Sequence, residues 1–192
     1  MAARAYKALV FDCYGVLVAG TRSLLKEDYP KVADALDELG RQSDHGYVTR
    51  SEYFAQIAEL TRLSVPEVEA YLRPHIHHNM ALLAYIVELK KTFKIGLLSN
   101  IGQDAFEHLF KEPELYFDEI VLSYRTGFIK PQPEIYYHMA DKLGLMPQDC
   151  FFIDDIQENV VGAQNIGMGA IQYINLEQLK SDLQTHVAYL PQ

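Results

Sequence analysis

Residues 8–17 of the chain read ALVFDCYGVL, and this stretch decides the fold class. Four apolar residues in a row, 8–11, are typical of a short strand that is covered on both faces, as in a parallel sheet. Asp12 follows where that strand is expected to end. Open α/β sheets bind their ligands just beyond the carboxyl ends of their strands, so Asp12 lies where a functional site would form.

Further apolar runs of the same kind occur later in the chain and alternate with helical patterns. The runs are Ile95–Leu98, Ile120–Leu122, Phe151–Ile153 and Ala170–Ile174, and the helical patterns lie near residues 104–110, 133–143 and 156–166. Strands that alternate with helices favour parallel pairing with helices on both faces. The predicted fold class is therefore α/β, with a doubly wound, Rossmann-like parallel sheet.

The stretch from about residue 24 to residue 91 differs from the rest, because helical patterns follow one another there with almost no strand signal. Leucine spacing predicts a helix that ends at Gly40, and Thr49 with Glu52 forms a capping-box pattern for a second helix through Leu60. We therefore predict a core of residues 1–18 and 92–192, with an all-helical cap inserted at residues 19–91.

Composition excludes several classes of protein. The chain has 192 residues, with 17 Lys and Arg against 26 Asp and Glu, a net charge of −9 that argues against a nucleic-acid partner held by phosphate contacts. The longest apolar stretch, residues 80–87, is far shorter than the roughly 20 residues that span a bilayer. Two cysteines give no disulfide framework. We expect a cytoplasmic monomer with no membrane partner.

Polar residues that suit phosphoryl chemistry follow four of the predicted strands. They are Asp12 after the first strand, Ser99 and Asn100 after the second, Lys130 beyond the third, and Asp154 and Asp155 after the fourth. Three carboxylates brought together repel one another unless a cation lies among them, and oxygen ligands suit Mg²⁺. A serine, backbone N–H groups and a lysine can hold a phosphoryl group, while an aspartate can act as a nucleophile.

These motifs, in this order, resemble the four motifs of the haloacid dehalogenase (HAD) superfamily, including its small-capped, sugar-phosphatase-like members. The resemblance covers essentially the whole chain and implies a phosphatase that forms an aspartyl-phosphate intermediate. It implies Asp12 as nucleophile and Lys130 as its charge partner. Ser99, Asn100 and Lys130 would hold the phosphate. Mg²⁺ would be bound by Asp12, Asp154, Asp155 and the backbone carbonyl of Tyr14.

Tyr14 departs from the pattern of most phosphatases of this superfamily, which carry a second aspartate there as general acid and base. A phenol with a pKa near 10 is a poor base at neutral pH. We therefore predict a Mg²⁺-dependent phosphatase of a small metabolite, such as a sugar phosphate, that is slow or restricted to good leaving groups. The alternatives are a metal-independent 2-haloacid dehalogenase that uses Asp12, and a weakly active protein that binds a phosphorylated ligand.

The cap should select the substrate because it closes over the strand ends. The turn His45-Gly46-Tyr47, between two predicted cap helices, is the candidate substrate-facing loop. An exposed helix-to-helix connection is an equally good interpretation of the same residues.

Overall fold

A computed structural model describes residues 4–188 and contains one parallel sheet of five strands. The strands are β1 (Ala8–Phe11), β2 (Lys94–Ser99), β3 (Glu119–Leu122), β4 (Cys150–Asp154) and β5 (Gly169–Gln172), in the spatial order β3-β2-β1-β4-β5. The predicted doubly wound α/β class is confirmed. The bounds of every strand lie within two residues of the predicted ones. The agreement is close because the apolar runs are the residues that the buried strands contain.

Ten α-helices connect and cover these strands within the described residues. They are α1 (Arg22–Asp28), α2 (Ala33–Asp44), α3 (Arg50–Thr61), α4 (Val65–Leu72), α5 (Met80–Leu89), α6 (Ala105–Leu109), α7 (Ser123–Thr126), α8 (Pro133–Lys142), α9 (Gln157–Asn165) and α10 (Leu176–His186). None of the helices found between residues 4 and 188 is both long and apolar enough to cross a membrane.

The two faces of the sheet bury different clusters of side chains. Phe11 and neighbours pointing the same way pack with Ile86 of α5 and Leu183 of α10. On the opposite face, Val10 packs with Tyr136 and other residues of α8. Successive side chains of a strand point to opposite faces, so β1, buried on both, is the centre of the core.

A third apolar cluster belongs to α1–α4 alone and includes Leu25, Leu39 and Ile57. The helix α5, which is predicted to belong to the cap, instead buries Leu82 and Ile86 in the same cluster as Phe11, on one face of the sheet. The packing therefore favours a cap that ends before α5 rather than at residue 91. The division into core and cap remains a proposal.

The helix α3 begins where its capping residues predict, whereas the helix predicted up to Gly40 is interrupted between Asp28 and Ala33 and ends later. Thr49 accepts a hydrogen bond from the backbone N–H of Glu52 at 3.3 Å, and α3 follows as expected. The predicted end of α2 at Gly40 is wrong, because the helix continues to Asp44. A β-carbon at Gly40 would lie within 2.7 Å of three guanidinium atoms of Arg22. Gly40 thus makes room for a neighbouring side chain instead of ending the helix.

The strand register fixes where the functional motifs lie. Phe11 of β1 is paired with Leu97 of β2 and with Ile153 of β4, so all three chains leave the sheet at the same edge. Asp12 and Asp154 each follow one of these paired residues directly. The polar residues that follow the strands therefore meet at the carboxyl edge.

Candidate active site

The centre of the carboxyl edge is a buried lysine between two aspartates. The Nζ atom of Lys130 lies 2.6 Å from Oδ1 of Asp12 and 2.6 Å from Oδ2 of Asp154. The side chains of Lys130, Asp12 and Asp154 are only 1%, 7% and 0% exposed. Burial of charge is costly unless the charges are paired, and Lys130 provides that pairing for both carboxylates.

Lys130 and the two aspartates shift one another's pKa values in the directions expected for these charges. Burial raises the pKa of Asp12 to about 7; the charge of Lys130 opposes this rise, and the charge of Asp154 adds to it. Burial alone would lower the pKa of Lys130, but the two aspartates outweigh it and raise that pKa. The lysine is therefore held charged, and its positive charge favours the ionised form of Asp12.

The Lys130 backbone is held in place by the side chain of Asn100. The amide Nδ2 of Asn100 donates to the carbonyl oxygen of Lys130 at 3.0 Å, and the N–H of Lys130 donates to Oδ1 of Asn100 at 2.8 Å. This reciprocal pair joins the loop after β2 to the loop beyond β3. The side chain of Asn100 thus positions Lys130, a contact that the sequence analysis did not anticipate.

The two adjacent aspartates after β4 have different surroundings. Asn159 donates to both carboxylate oxygens of Asp154 at 3.1 Å, and the N–H of Ile156 donates to Oδ1 at 2.8 Å. Asp155, in contrast, has a buried Oδ1 atom with no hydrogen-bond partner among residues 4–188. Burial raises the pKa of Asp155, and the charge of Asp154 adds to the rise. Asp155 is therefore the aspartate whose carboxylate oxygen remains available to contact a ligand.

Among the described residues, two buried side-chain oxygen atoms lack a hydrogen-bond partner, and both are at this edge. One is Oδ1 of Asp155 and the other is Oγ of Ser99, the last residue of β2. Buried polar groups in proteins are almost always hydrogen-bonded, so both atoms are suited to contact a ligand.

The site has the donor set of a magnesium centre. Oxygen atoms of Asp12, Asp154 and Asp155 lie within 4.8 Å of one another. Hard carboxylate oxygens suit Mg²⁺, and the unpartnered oxygen of Asp155 is available to act as a ligand. Gly15 packs against this carboxylate so closely that a β-carbon there would lie within 2.7 Å of both its oxygens. The residues present therefore fit a divalent cation.

Tyr14 lies below the cap, and its side chain is only partly exposed. Burial raises the pKa of its phenol, with Cys13, Tyr53 and Asp44 adding to the rise and Arg22 opposing it. The phenol of Tyr14 is thus close to polar residues of the cap, two positions along the chain from Asp12.

The turn at residues 45–47 makes contacts between the cap and the core. Nδ1 of His45 lies 3.3 Å from the carbonyl oxygen of Gly127, and Nε2 of Gln103 donates to the carbonyl oxygen of Gly46 at 3.1 Å. The ring of Tyr47 stacks on His45 at a centroid distance of 5.0 Å and is 74% exposed. These contacts give the turn a docking role, and its predicted contact with substrate stays a prediction.

Two contributing residues, Asn159 and Ser123, were missed by the sequence analysis. Asn159 lies in the first turn of α9, the helix that follows β4, and its side chain reaches back to Asp154 at the end of that strand. The short spacing between Asp154 and Asn159 could therefore have indicated this contact. Ser123 follows β3, and its hydroxyl donates to the carbonyl oxygen of Asp44 and accepts from the N–H of Ile101 at 3.0 Å. A buried serine between cap and core has no sequence signature.

Comparison with known proteins agrees with this geometry. The family of haloacid dehalogenase-like hydrolases matches residues 6–167. The D-ribitol-5-phosphate phosphatase of Bacteroides thetaiotaomicron is 27% identical, over 92% of this chain and 96% of that protein. The sesquiterpene phosphatase astK of Aspergillus oryzae is 27% identical, over 85% of this chain and 87% of that protein.

The fold is shared with a solved structure of a HAD family enzyme from Bacteroides thetaiotaomicron in complex with magnesium and inorganic phosphate. The two chains superpose with a TM-score of 0.74 and 25% sequence identity, over 91% of this chain and 99% of the other. The motif order, the buried Asp12–Lys130–Asp154 arrangement and the match over most of the chain lead to one conclusion: this protein belongs to the haloacid dehalogenase-like hydrolase family.

Proposed function

We propose that this hydrolase is a Mg²⁺-dependent phosphatase of a small phosphorylated metabolite, with Asp12 as nucleophile. The observation that carries the proposal is the cluster of Asp12, Asp154 and Asp155 within 4.8 Å around a buried lysine. The substrate class we infer is a sugar or polyol phosphate, supported by the likeness to the ribitol-5-phosphate phosphatase.

Mg²⁺ would be held by Asp12, by Asp155 and by the backbone carbonyl of Tyr14. Asp154 would act through a water molecule, because its oxygens already accept hydrogen bonds from Lys130, Asn159 and the N–H of Ile156. When bound, the ion neutralises the negative charge that develops on the phosphoryl oxygens.

The chain's own groups would carry out two displacements at phosphorus. A carboxylate oxygen of Asp12 forms a bond to phosphorus while the bond to the leaving oxygen breaks, and that oxygen keeps the electron pair and takes up a proton from solvent. Water then attacks the phosphorus of the aspartyl phosphate and the acyl–oxygen-bound phosphoryl group leaves as inorganic phosphate, which restores the carboxylate and returns one proton to solvent. Lys130 and the hydroxyl of Ser99 would hold the phosphoryl group through both steps.

Tyr14 limits the proton transfers of this reaction. The pKa of a phenol is ordinarily near 10 and burial raises that of Tyr14 further, so the phenol stays protonated at neutral pH and the second displacement lacks an efficient base. We expect slow turnover of alkyl phosphates and faster release from acyl and aryl phosphates. Tyr14→Asp should raise turnover of alkyl phosphates by about 10–100-fold. Tyr14→Asn is the matched control, because asparagine has nearly the same size as aspartate but carries no acid. It should give no such gain.

Release of inorganic phosphate from acetyl phosphate, phenyl phosphate and ribitol 5-phosphate tests the proposal. We expect release with Mg²⁺, loss of release with excess chelator, and loss in Asp12→Asn. Asp149→Asn is the control, since Asp149 pairs with Lys7 away from the site, at 3.2 Å. Release that a chelator does not affect would refute the metal requirement.

Two other outcomes would favour the alternatives. Chloride release from 2-chloropropionate without metal would favour a dehalogenase. Saturable binding of a phosphorylated ligand without any release would favour a binding protein. The monomeric state stays a prediction that sedimentation would test.

A further inference from the structure

A polar cluster of the cap lies directly over the carboxyl edge of the sheet. Asp44, the last residue of α2, accepts a hydrogen bond at its carbonyl oxygen from the hydroxyl of Ser123. Ser123 follows β3, and its hydroxyl also accepts from the N–H of Ile101, two residues after Ser99. Asp44 is therefore fixed above the ends of β2 and β3, beside the loop that follows Ser99, the proposed phosphate-binding serine.

Asp44 holds the side chain of Arg22 in a two-point contact. Nη1 of Arg22 lies 3.2 Å from Oδ2 of Asp44, and Nη2 lies 3.1 Å from Oδ1. The guanidinium lies against Gly40, where any larger residue would displace it. The side chain of Arg22 is 39% exposed while that of Asp44 is 10% exposed. The arginine is thus fixed in place and still accessible.

Two phenols, of Tyr53 and Tyr14, are electrostatically influenced by this pair. Burial raises the pKa of Tyr53, and the charge and hydrogen bond of Arg22 oppose that rise. Arg22 and Asp44 also act on the phenol of Tyr14, which is two residues from Asp12. The side chain of Arg22, held by Asp44 and Gly40, thus lies in the cap beside the segments that follow β2 and β3.

We propose that Arg22 is a specificity-determining residue that binds hydroxyl groups of a neutral, polyhydroxylated leaving group; this rests on the proposed phosphatase function. Arg22 and Asp44 cancel in charge, so the pair offers little attraction to a second anionic group. It does offer N–H donors beside carboxylate and phenol acceptors, which matches hydroxyl groups that both donate and accept. A phenyl or acetyl leaving group has no hydroxyl group to bind.

The test is the ratio of kcat/KM for ribitol 5-phosphate to kcat/KM for phenyl phosphate. In Arg22→Met we expect this ratio to fall by at least about tenfold, mainly through KM, as for loss of a hydrogen bond to a charged group. Arg50→Met is the matched control, because Arg50 lies over the ring of Phe54 at 4.5 Å in the same cap and pairs weakly with Glu69 at 3.8 Å. It should leave the ratio unchanged.

A purely structural role for Arg22 would lower both kcat/KM values together and leave their ratio constant, which would overturn the proposal. If Arg22→Met does not fold, Asp44→Asn tests the proposal instead. It leaves the charge of Arg22 uncompensated, so the preference for 3-phosphoglycerate over ribitol 5-phosphate should rise by about tenfold. No rise would overturn the proposal. Failure of the wild-type protein to release phosphate from phenyl phosphate would instead count against the phosphatase function itself.

Discussion

Lys130→Met tests whether the buried lysine holds the two aspartates together. The substitution keeps an unbranched side chain but removes the charge that lies 2.6 Å from both Asp12 and Asp154. Two nearly inaccessible carboxylates would then face each other without a cation. Removal of one partner from a buried pair costs about 3–5 kcal/mol, which corresponds to a fall in Tm of about 6–20 °C for a chain of this size.

Urea unfolding at pH 8 with excess chelator would measure this loss. Lys91→Met is the control, because Lys91 forms an exposed surface pair with Glu88 and should change the free energy of unfolding little. In the Lys130→Met background, Asp12→Asn should restore about 1–3 kcal/mol because it removes one of the two repelling charges. A loss below about 1 kcal/mol in Lys130→Met, or further destabilisation by Asp12→Asn, would refute the reasoning.

Three other substitutions test other parts of the structure. Gly15→Ala should raise the Mg²⁺ concentration needed for half-maximal activity at least about tenfold, since the residue has φ +86° and its β-carbon would displace Asp155; an unchanged metal titration would contradict this. Asn159→Ala removes the amide hydrogen bonds to Asp154 and should lower activity about 10–100-fold in steady-state assays, with Asn159→Gln recovering little. Ile57→Ala should cost about 2–5 kcal/mol in urea unfolding, because this residue is fully buried in the cap cluster.

The sequence predicted the sheet and its polar edge because both depend on local patterns. Buried parallel strands appear in the sequence as continuous apolar runs. The residue after each run, such as Asp12 or Asp154, therefore lies at the carboxyl edge of the sheet. Lys130 was also placed correctly at that edge, although its complete burial between two carboxylates was not foreseen.

The contacts between cap and core could not be predicted in this way. Ser123 bonds to Asp44 across 79 positions of the chain, and nothing in the local sequence of either residue indicates the other. The helix α2 likewise continues through Gly40, and the guanidinium of Arg22 occupies the space that a side chain at residue 40 would need. A helical glycine costs about 1 kcal/mol, and here tertiary packing outweighs that cost.

The most direct test of the central claim is to look for a phosphoryl group on Asp12. The protein would be mixed with acetyl phosphate and Mg²⁺, quenched in acid within the first turnover, digested and mapped by mass spectrometry. We expect a phosphorylated peptide that contains Asp12, absent in Asp12→Asn and absent when a chelator is present. Steady release of phosphate with no modified Asp12 in the quenched sample, or a phosphoryl group on another residue, would contradict it.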